Sequence, residues 1–234
     1  MLNYEFLLDT FFVALSGAPT ALLITLVSLV IALPLGFFLA LSRINRVPVL
    51  HRIAQVYVSF VRGTPMIIQI FIIYNSIPLI LSRIFSRFDL NIKIYEVNPI
   101  WYAFIVFSLN TIAILSEVFR SALGAVSKGQ LEAAQSVGLT NFQAYVTVII
   151  PQALTVAIPN ICNTTTNLIK GTSLGYAMSL KEITLRAKVA ANVGYNYVEA
   201  YIDIFLVYLI ICGIVEYGFK IFEKRIRTYK SVSA

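Results

Sequence analysis

Four long stretches without a single acidic or basic side chain constrain this chain more than anything else in it. They run from Asp9 to Arg43, Arg62 to Arg83, Glu96 to Glu117 and Glu132 to Lys170. A helix needs roughly 20 mostly apolar residues to cross the hydrocarbon core of a bilayer, and each interval can supply one. A fifth, shorter apolar run from Ile204 to Val215 reaches spanning length once Glu199 and Asp203 are placed near the interface. Composition agrees: 59% of residues are hydrophobic and 12% charged, about half the charged share of an average soluble domain. The expected fold is therefore an all-α integral membrane protein, a single domain over residues 1–234. Its five transmembrane helices are placed at about 18–42, 53–81, 99–118, 146–169 and 198–219. Residues 1–15 read as an amphipathic lead-in, and Trp101 and Tyr102 as markers of an interface.

The net charge of +7 raises the question of nucleic acid. The basic residues lie at helix ends and not along one stripe, so no nucleic-acid partner is expected. Their distribution instead suggests topology. With the N-terminus outside and the C-terminus cytoplasmic, the inner side holds Arg43, Arg46, Arg52, Arg120, Lys128 and the Lys220 to Lys230 cluster. The outer side holds Arg83, Arg87, Lys93, Lys170, Lys181, Arg186 and Lys188, a modest positive-inside bias. No basic residue precedes the first apolar stretch, so the first helix itself is expected to direct insertion. Cys162 and Cys212 lie in apolar segments without metal spacing, and the lone His51 stands beside Arg52. There is no phosphate-cradling G-x-x-x-x-G-K-[ST] run and no acid–base constellation. ATP hydrolysis or other catalysis by this chain is not expected.

The segment from about 120 to 145 is too polar to span, yet Leu131, Ala134, Val137 and Leu139 give it an apolar side. It contains Glu132-Ala133-Ala134, then Gly138, then Val148-Ile149-Ile150-Pro151. A short helix here would carry Ala133 and Ala134 as a smooth face, with Glu132 near its start where the dipole favours an acid. Gly138 can adopt positive φ and end it, and Pro151 marks a kink inside the membrane.

This pattern resembles the Glu-Ala-Ala loop of bacterial ATP-binding-cassette importer permeases, with Val148 and Ile150 as conservative replacements. Ser116-Glu117-Val118-Phe119-Arg120, Lys128-Gly129-Gln130 and Pro151-Gln152-Ala153-Leu154 extend the match, and Arg62-Gly63-Thr64-Pro65 with Gln69 resembles the polar-amino-acid branch. The resemblance implies that the helix docks in a cleft of the ATPase, with Lys128, Glu132, Ala133, Ala134, Gly138 and Pro151 as coupling residues. It implies as partners two ATP-binding-cassette ATPase subunits, which would bind the ATP and magnesium, and an extracellular or periplasmic substrate-binding protein. A second permease subunit, identical or homologous, would complete the complex in the bacterial cell membrane.

Asn160, Asn163, Thr164 and Asn167 share one face of the fourth span, followed by Lys170, Thr172 and Ser173. Polar groups at membrane depth need a reason. Two reasons remain open: a path for a zwitterion, joined by Thr64 and Gln69, or hydrogen bonding between helices. Many relatives carry Leu-Lys-Asp-Thr-Ser where this chain has Ile169-Lys170-Gly171-Thr172-Ser173. The missing acid argues against a cationic substrate, and the wording as a whole resembles cystine permeases. A passive channel or secondary carrier would also explain the spans and the polar face, but not the loop; a membrane enzyme has no site.

Overall fold

The computed structural model describes residues 2–88, 90 and 93–231, with 226–231 as backbone only; Arg227 and Lys230 of the basic cluster lie outside the described side chains. Among the described residues every regular element is helical: α1 Tyr4–Leu15, α2 Ala18–Ile44, α3 Leu50–Gly63, α4 Met66–Arg87, α5 Ile100–Gly124, α6 Lys128–Ser136, α7 Asn141–Ala144, α8 Ile150–Gly171, α9 Ile183–Ala191 and α10 Tyr197–Ser231. A π-helical turn, Tyr145–Ile149, leads into α8, and a 3₁₀ segment, Thr172–Met178, leaves it. Five stretches are long and apolar enough to cross a membrane: Tyr4–Ile44, Met66–Arg87, Ile100–Gly124, Asn141–Met178 and Tyr197–Arg225. The molecule is thus an all-α, five-span membrane fold.

Several boundaries differ from the sequence reading, each for a local reason. The second span is not one helix over 53–81. Thr64 is extended, at φ −119° and ψ 142°, because Pro65 disfavours the helical region for the residue before it. The 14-residue α3 is too short to cross, and the crossing is made by α4, which continues past Leu81 to Arg87. The third span likewise runs past Val118 to Gly124, so the loop expected from about 120 begins inside α5. Tyr102 is buried against Tyr74, at 5.6 Å between ring centroids, and only Trp101 faces outward. The lead-in is a helix, α1, packed on α9 and α10.

The α2–α5 pair forms the spine of the bundle. Small residues on α2 (Ala21, Thr25, Ser28, Ala32, Gly36, Ala40) are buried in series, as membrane helices require for close approach. At Gly36 an added Cβ would lie 3.1 Å from Leu115 Cβ and 3.2 Å from the Ser116 nitrogen. At one end of this pair Arg43 on α2 joins Glu117 on α5. Glu117 also accepts from Arg120 at 2.7 and 2.9 Å, so the acid ties α2 to α5.

At the opposite end, α9 closes the bundle through a buried carboxylate. Glu182 is fully buried and caps α9 by accepting from the amides of Thr184 (2.7 Å) and Leu185 (2.9 Å). It also accepts from the Tyr208 hydroxyl of α10 at 3.0 Å. Burial pushes the Glu182 carboxyl from its ordinary 4.5 up to about 7, although its hydrogen bonds pull the other way. Below 4.5 the group is protonated in both folded and unfolded chains. Between 4.5 and 7 only the folded chain keeps the proton, so this contribution to stability falls as pH rises and is lost above about 7. Such a displacement carries at most about 3 kcal/mol. In thermal unfolding of detergent-solubilised protein, wild type should lose more stability than Glu182→Gln between pH 5 and 7.5. Parallel profiles would show that the carboxyl does not titrate there.

Candidate functional site

Three neighbouring features carry the polar chemistry of the chain. The first is the α6–α7 elbow beside the Arg43–Glu117 end of the bundle. α6 has nine residues and ends in a paired reversal: Gly138 N–H donates to Gln135 O at 2.9 Å, and Leu139 N–H to Ala134 O at 3.1 Å. This arrangement needs positive φ after the last turn, and Gly138 sits at φ +89°. Thr140 then caps α7 reciprocally with Gln143. Glu132 is the fifth residue of α6, beyond the first turn, so the dipole argument for it fails; its position is exposed. The two alanines also part company. Ala134 is buried together with half-buried Leu131, while Ala133 is exposed. The outward surface comprises Lys128, Glu132 and Ala133, with Val137 and Phe142 each 78% exposed at the elbow. Val137, expected on the apolar side of this helix, instead faces outward; Phe142 was not singled out from the sequence, although an aromatic in so polar a segment was the available signal.

The elbow is mechanically joined to α8. α6 packs on the π turn, and the Gln152 amide donates to Gln130 Oε1 at 3.2 Å. Pro151 is the second residue of α8 and follows directly on the π turn, so the irregularity in the helical ladder falls on the turn before it.

The second feature is the α3–α4 break. Breaking a helix inside a membrane frees backbone groups that must be satisfied locally. Thr64 Oγ1 donates to Phe60 O at 2.9 Å. The Gln69 amide reaches Val61 O (2.8 Å), Thr64 O (3.1 Å) and Thr64 Oγ1 (2.8 Å), and Asn110 on α5 donates to Gln69 Oε1 at 3.3 Å. Gln69 is therefore a buried splint of the break. The end of α8 meets it: a Cβ at Gly171 would lie 3.8 Å from Met66 Sδ and 3.9 Å from Phe107 Cε1.

The third feature is the polar face of α8. Asn160, Asn163, Asn167 and Lys170 are exposed along it. Thr164 differs: it is buried and its hydroxyl turns back to Asn160 O at 2.8 Å. Thr172 is fully buried, donating to Ile169 O and lying 3.4 Å from the Tyr208 hydroxyl, so it belongs to the Glu182 joint and not to an open face. Ser173 is half-buried and lines a groove between α8 and α10.

Residues 32–228 match the family described as binding-protein-dependent transport system inner membrane component. Among curated relatives, the L-cystine transport system permease protein TcyL of Bacillus subtilis (strain 168) is 35% identical over 89% of this chain and 85% of its own. The probable amino-acid permease protein YxeN of the same organism is 34% identical over 95% of each chain. A chain in the crystal structure of an amino acid ABC transporter with histidines superposes with a TM-score of 0.80 at 26% identity, covering 96% of this chain and 99% of that one. Helix order, a five-span topology and similarity over nearly the full length agree: this chain is a multi-pass membrane protein belonging to the binding-protein-dependent transport system inner membrane component family.

Proposed function

We propose that the chain is the permease subunit of an ATP-binding-cassette importer in a bacterial cell membrane, carrying a neutral or acidic polar amino acid, with L-cystine the first candidate. The observation that carries this reading is the α6–α7 elbow. It is a polar, outward-facing helix that the fold itself does not need as a span, joined by Gln130 and the π turn to α8, whose asparagine face is exposed. Arg43, Arg46, Arg52, Arg120 and Lys128 gather at the elbow end and favour placing it in the cytoplasm. The names of the relatives, L-cystine and amino-acid permeases, support the substrate class.

On this reading a pair of ATPase subunits binds ATP and magnesium and grips the elbow, and a binding protein delivers substrate at the α9 end. A second permease subunit, identical or homologous, faces α8. Exposed Asn160, Asn163 and Asn167 cannot rest against lipid at low cost, so they line the passage between the two subunits. Movement of α6 reaches that passage through the π turn. The Gly63–Pro65 break adds the polar groups that a passing zwitterion needs, with Thr64 at its rim.

The test is uptake of radiolabelled L-cystine and L-glutamine into proteoliposomes holding the complete transporter. ATP-dependent accumulation is expected; uptake that proceeds equally without ATP or the ATPase would establish a passive carrier instead. Selectivity gives a further check. The contacts that an added Cβ would make at Gly171 are ordinary van der Waals distances, so a side chain can start there without a backbone clash. Gly171→Asp should shift preference from glutamine towards arginine by about tenfold, since a carboxylate facing a bound cation is worth on the order of 1–3 kcal/mol. An unchanged ratio would place substrate elsewhere.

A further inference from the structure

α10 carries an acid that the bundle buries without a partner. Of the three buried carboxylates among the described residues, Glu182 accepts from two amides and the Tyr208 hydroxyl, and Glu199 accepts from the Asn3 N–H at 2.8 Å. Asp203 is fully buried, and neither of its oxygens has a hydrogen-bond partner among the described residues. A carboxylate removed from water needs a countercharge or a set of donors.

The surroundings supply neither. Glu199 lies one turn before Asp203 on the same face of α10, so a second negative charge stands beside the first. The rest of the joint is small and apolar: Ala187 and Ala191 on α9 and Ala200 on α10 are buried, with Phe6 of α1 packed against them. The basic groups of α9 are engaged elsewhere. Arg186 donates to Ser16 Oγ at 3.1 Å and to Lys181 O at 3.2 Å, and Lys188 Nζ lies 4.4 Å from the centre of the Tyr176 ring. No ion pair among the described residues includes Glu199 or Asp203. α1 closes the site. Asn3 caps that helix, its side chain accepting from the Phe6 N–H at 3.1 Å, and its own N–H is the one held by Glu199. The two acids therefore sit where the start of α1 meets α10.

We propose that this α1–α10 joint binds one divalent cation of the calcium type between Asp203 and Glu199. Asp203 offers both of its oxygens and Glu199 the one that Asn3 leaves, a hard oxygen set of the kind such ions take. A proton would neutralise one acid; a divalent cation neutralises both. Calcium suits the site better than magnesium, which demands near-ideal octahedral geometry. Among the described residues no cluster of three acid, histidine or cysteine ligands forms, so water completes the shell and the affinity is modest, on the order of 0.1–1 mM. The bound ion would clamp α1 to α10. On the importer reading this end of the bundle faces the outside of the cell; the binding itself does not depend on that reading.

The experiment uses the full chain purified in a non-ionic detergent, stripped with EDTA and melted across a titration of calcium chloride. Magnesium chloride and sodium chloride of equal ionic strength run beside it. The wild-type melting temperature should rise by about 4 °C at a tenfold excess of calcium over its dissociation constant, less with magnesium and not with sodium. Asp203→Asn should melt above stripped wild type, because the unpaired charge is gone, and should respond to neither divalent ion. Glu199→Gln keeps an acceptor for the Asn3 amide and should move the calcium midpoint about tenfold higher. A wild type indifferent to calcium overturns the inference, since Asp203 is then neutralised within the protein. An equal response to sodium also overturns it, because that reports screening and not a site. So does an Asp203→Asn variant that answers calcium as wild type does. None of these readouts involves transport, so failure of ATP-driven uptake strikes the importer reading and leaves the cation site to its own test.

Discussion

Gly17→Ala is expected to leave little folded protein in the membrane. Gly17 joins α1 to α2 with φ −84°, a conformation open to any residue, so the glycine is there for space. A Cβ at this point would stand 2.5 Å from the carbonyl carbon of Glu182, 2.5 Å from the nitrogen of Ile183 and 2.8 Å from the Glu182 oxygen. All three are backbone atoms at the start of α9, so no rotamer change relieves the clash. α9 cannot retreat alone, because the Glu182 side chain that caps it is held by Tyr208 of α10. Overpacking in a closed core costs about 1–3 kcal/mol and sometimes more. With backbone opposite backbone the upper end applies, a large share of the 5–15 kcal/mol that holds a typical domain. Gly218→Ala provides the contrast: no atom lies within 4 Å of its added Cβ, and alanine favours the helix by up to about 1 kcal/mol. The measurement is the monodisperse fraction after mild detergent extraction. Equal recovery of the two variants would remove the argument.

The spans were legible because the absence of charge over Thr10–Ser42 or Val97–Ser116 is a property of the chain alone, and the bilayer admits one backbone solution to it. Pro65, inside the stretch taken as the second span, is a sign of interruption that the sequence itself carries. Its effect was understated because α3 still looks apolar enough to join a span, and only its short length disqualifies it. Glu182 carries no local mark of burial in the sequence; its burial depends on the approach of Tyr208, 26 residues away, which no local pattern records. The division between Ala133 and Ala134 has the same character. Adjacent alanines are equivalent until the π turn packs against one side of α6. Thr172 and Ser173 continued a polar run in the sequence, but the chain passes there from α8 into a 3₁₀ segment, and the change of pitch turns Thr172 inward.

The elbow yields the second large effect, and it separates function from folding. Val137 and Phe142 are 78% exposed beside a helix that is otherwise polar outside. Single exposed apolar residues are ordinary, but these two flank the Gly138 reversal, which fixes where they point. On the proposed reading they are the apolar anchors of the ATPase contact, and Lys128 and Glu132 form its charged rim. Interfaces concentrate their energy in a few buried apolar or aromatic anchors, each worth about 2 kcal/mol or more, while rim charges contribute less. Phe142→Asp together with Val137→Asp should therefore cut ATP-driven uptake at least a hundredfold and release the ATPase during purification. Extraction and thermal stability should stay close to wild type, since neither side chain is packed. Glu132→Lys should uncouple ATP hydrolysis from uptake with a smaller loss of complex, because it reverses a rim charge and leaves the anchors in place. Ala134→Asp should behave in the opposite way: it places a carboxylate against Leu131 and the π turn, so protein is lost before coupling can be assayed. If the double variant keeps its ATPase and its uptake, the elbow is not the docking surface. The role would then pass to another exposed part of the same end of the bundle.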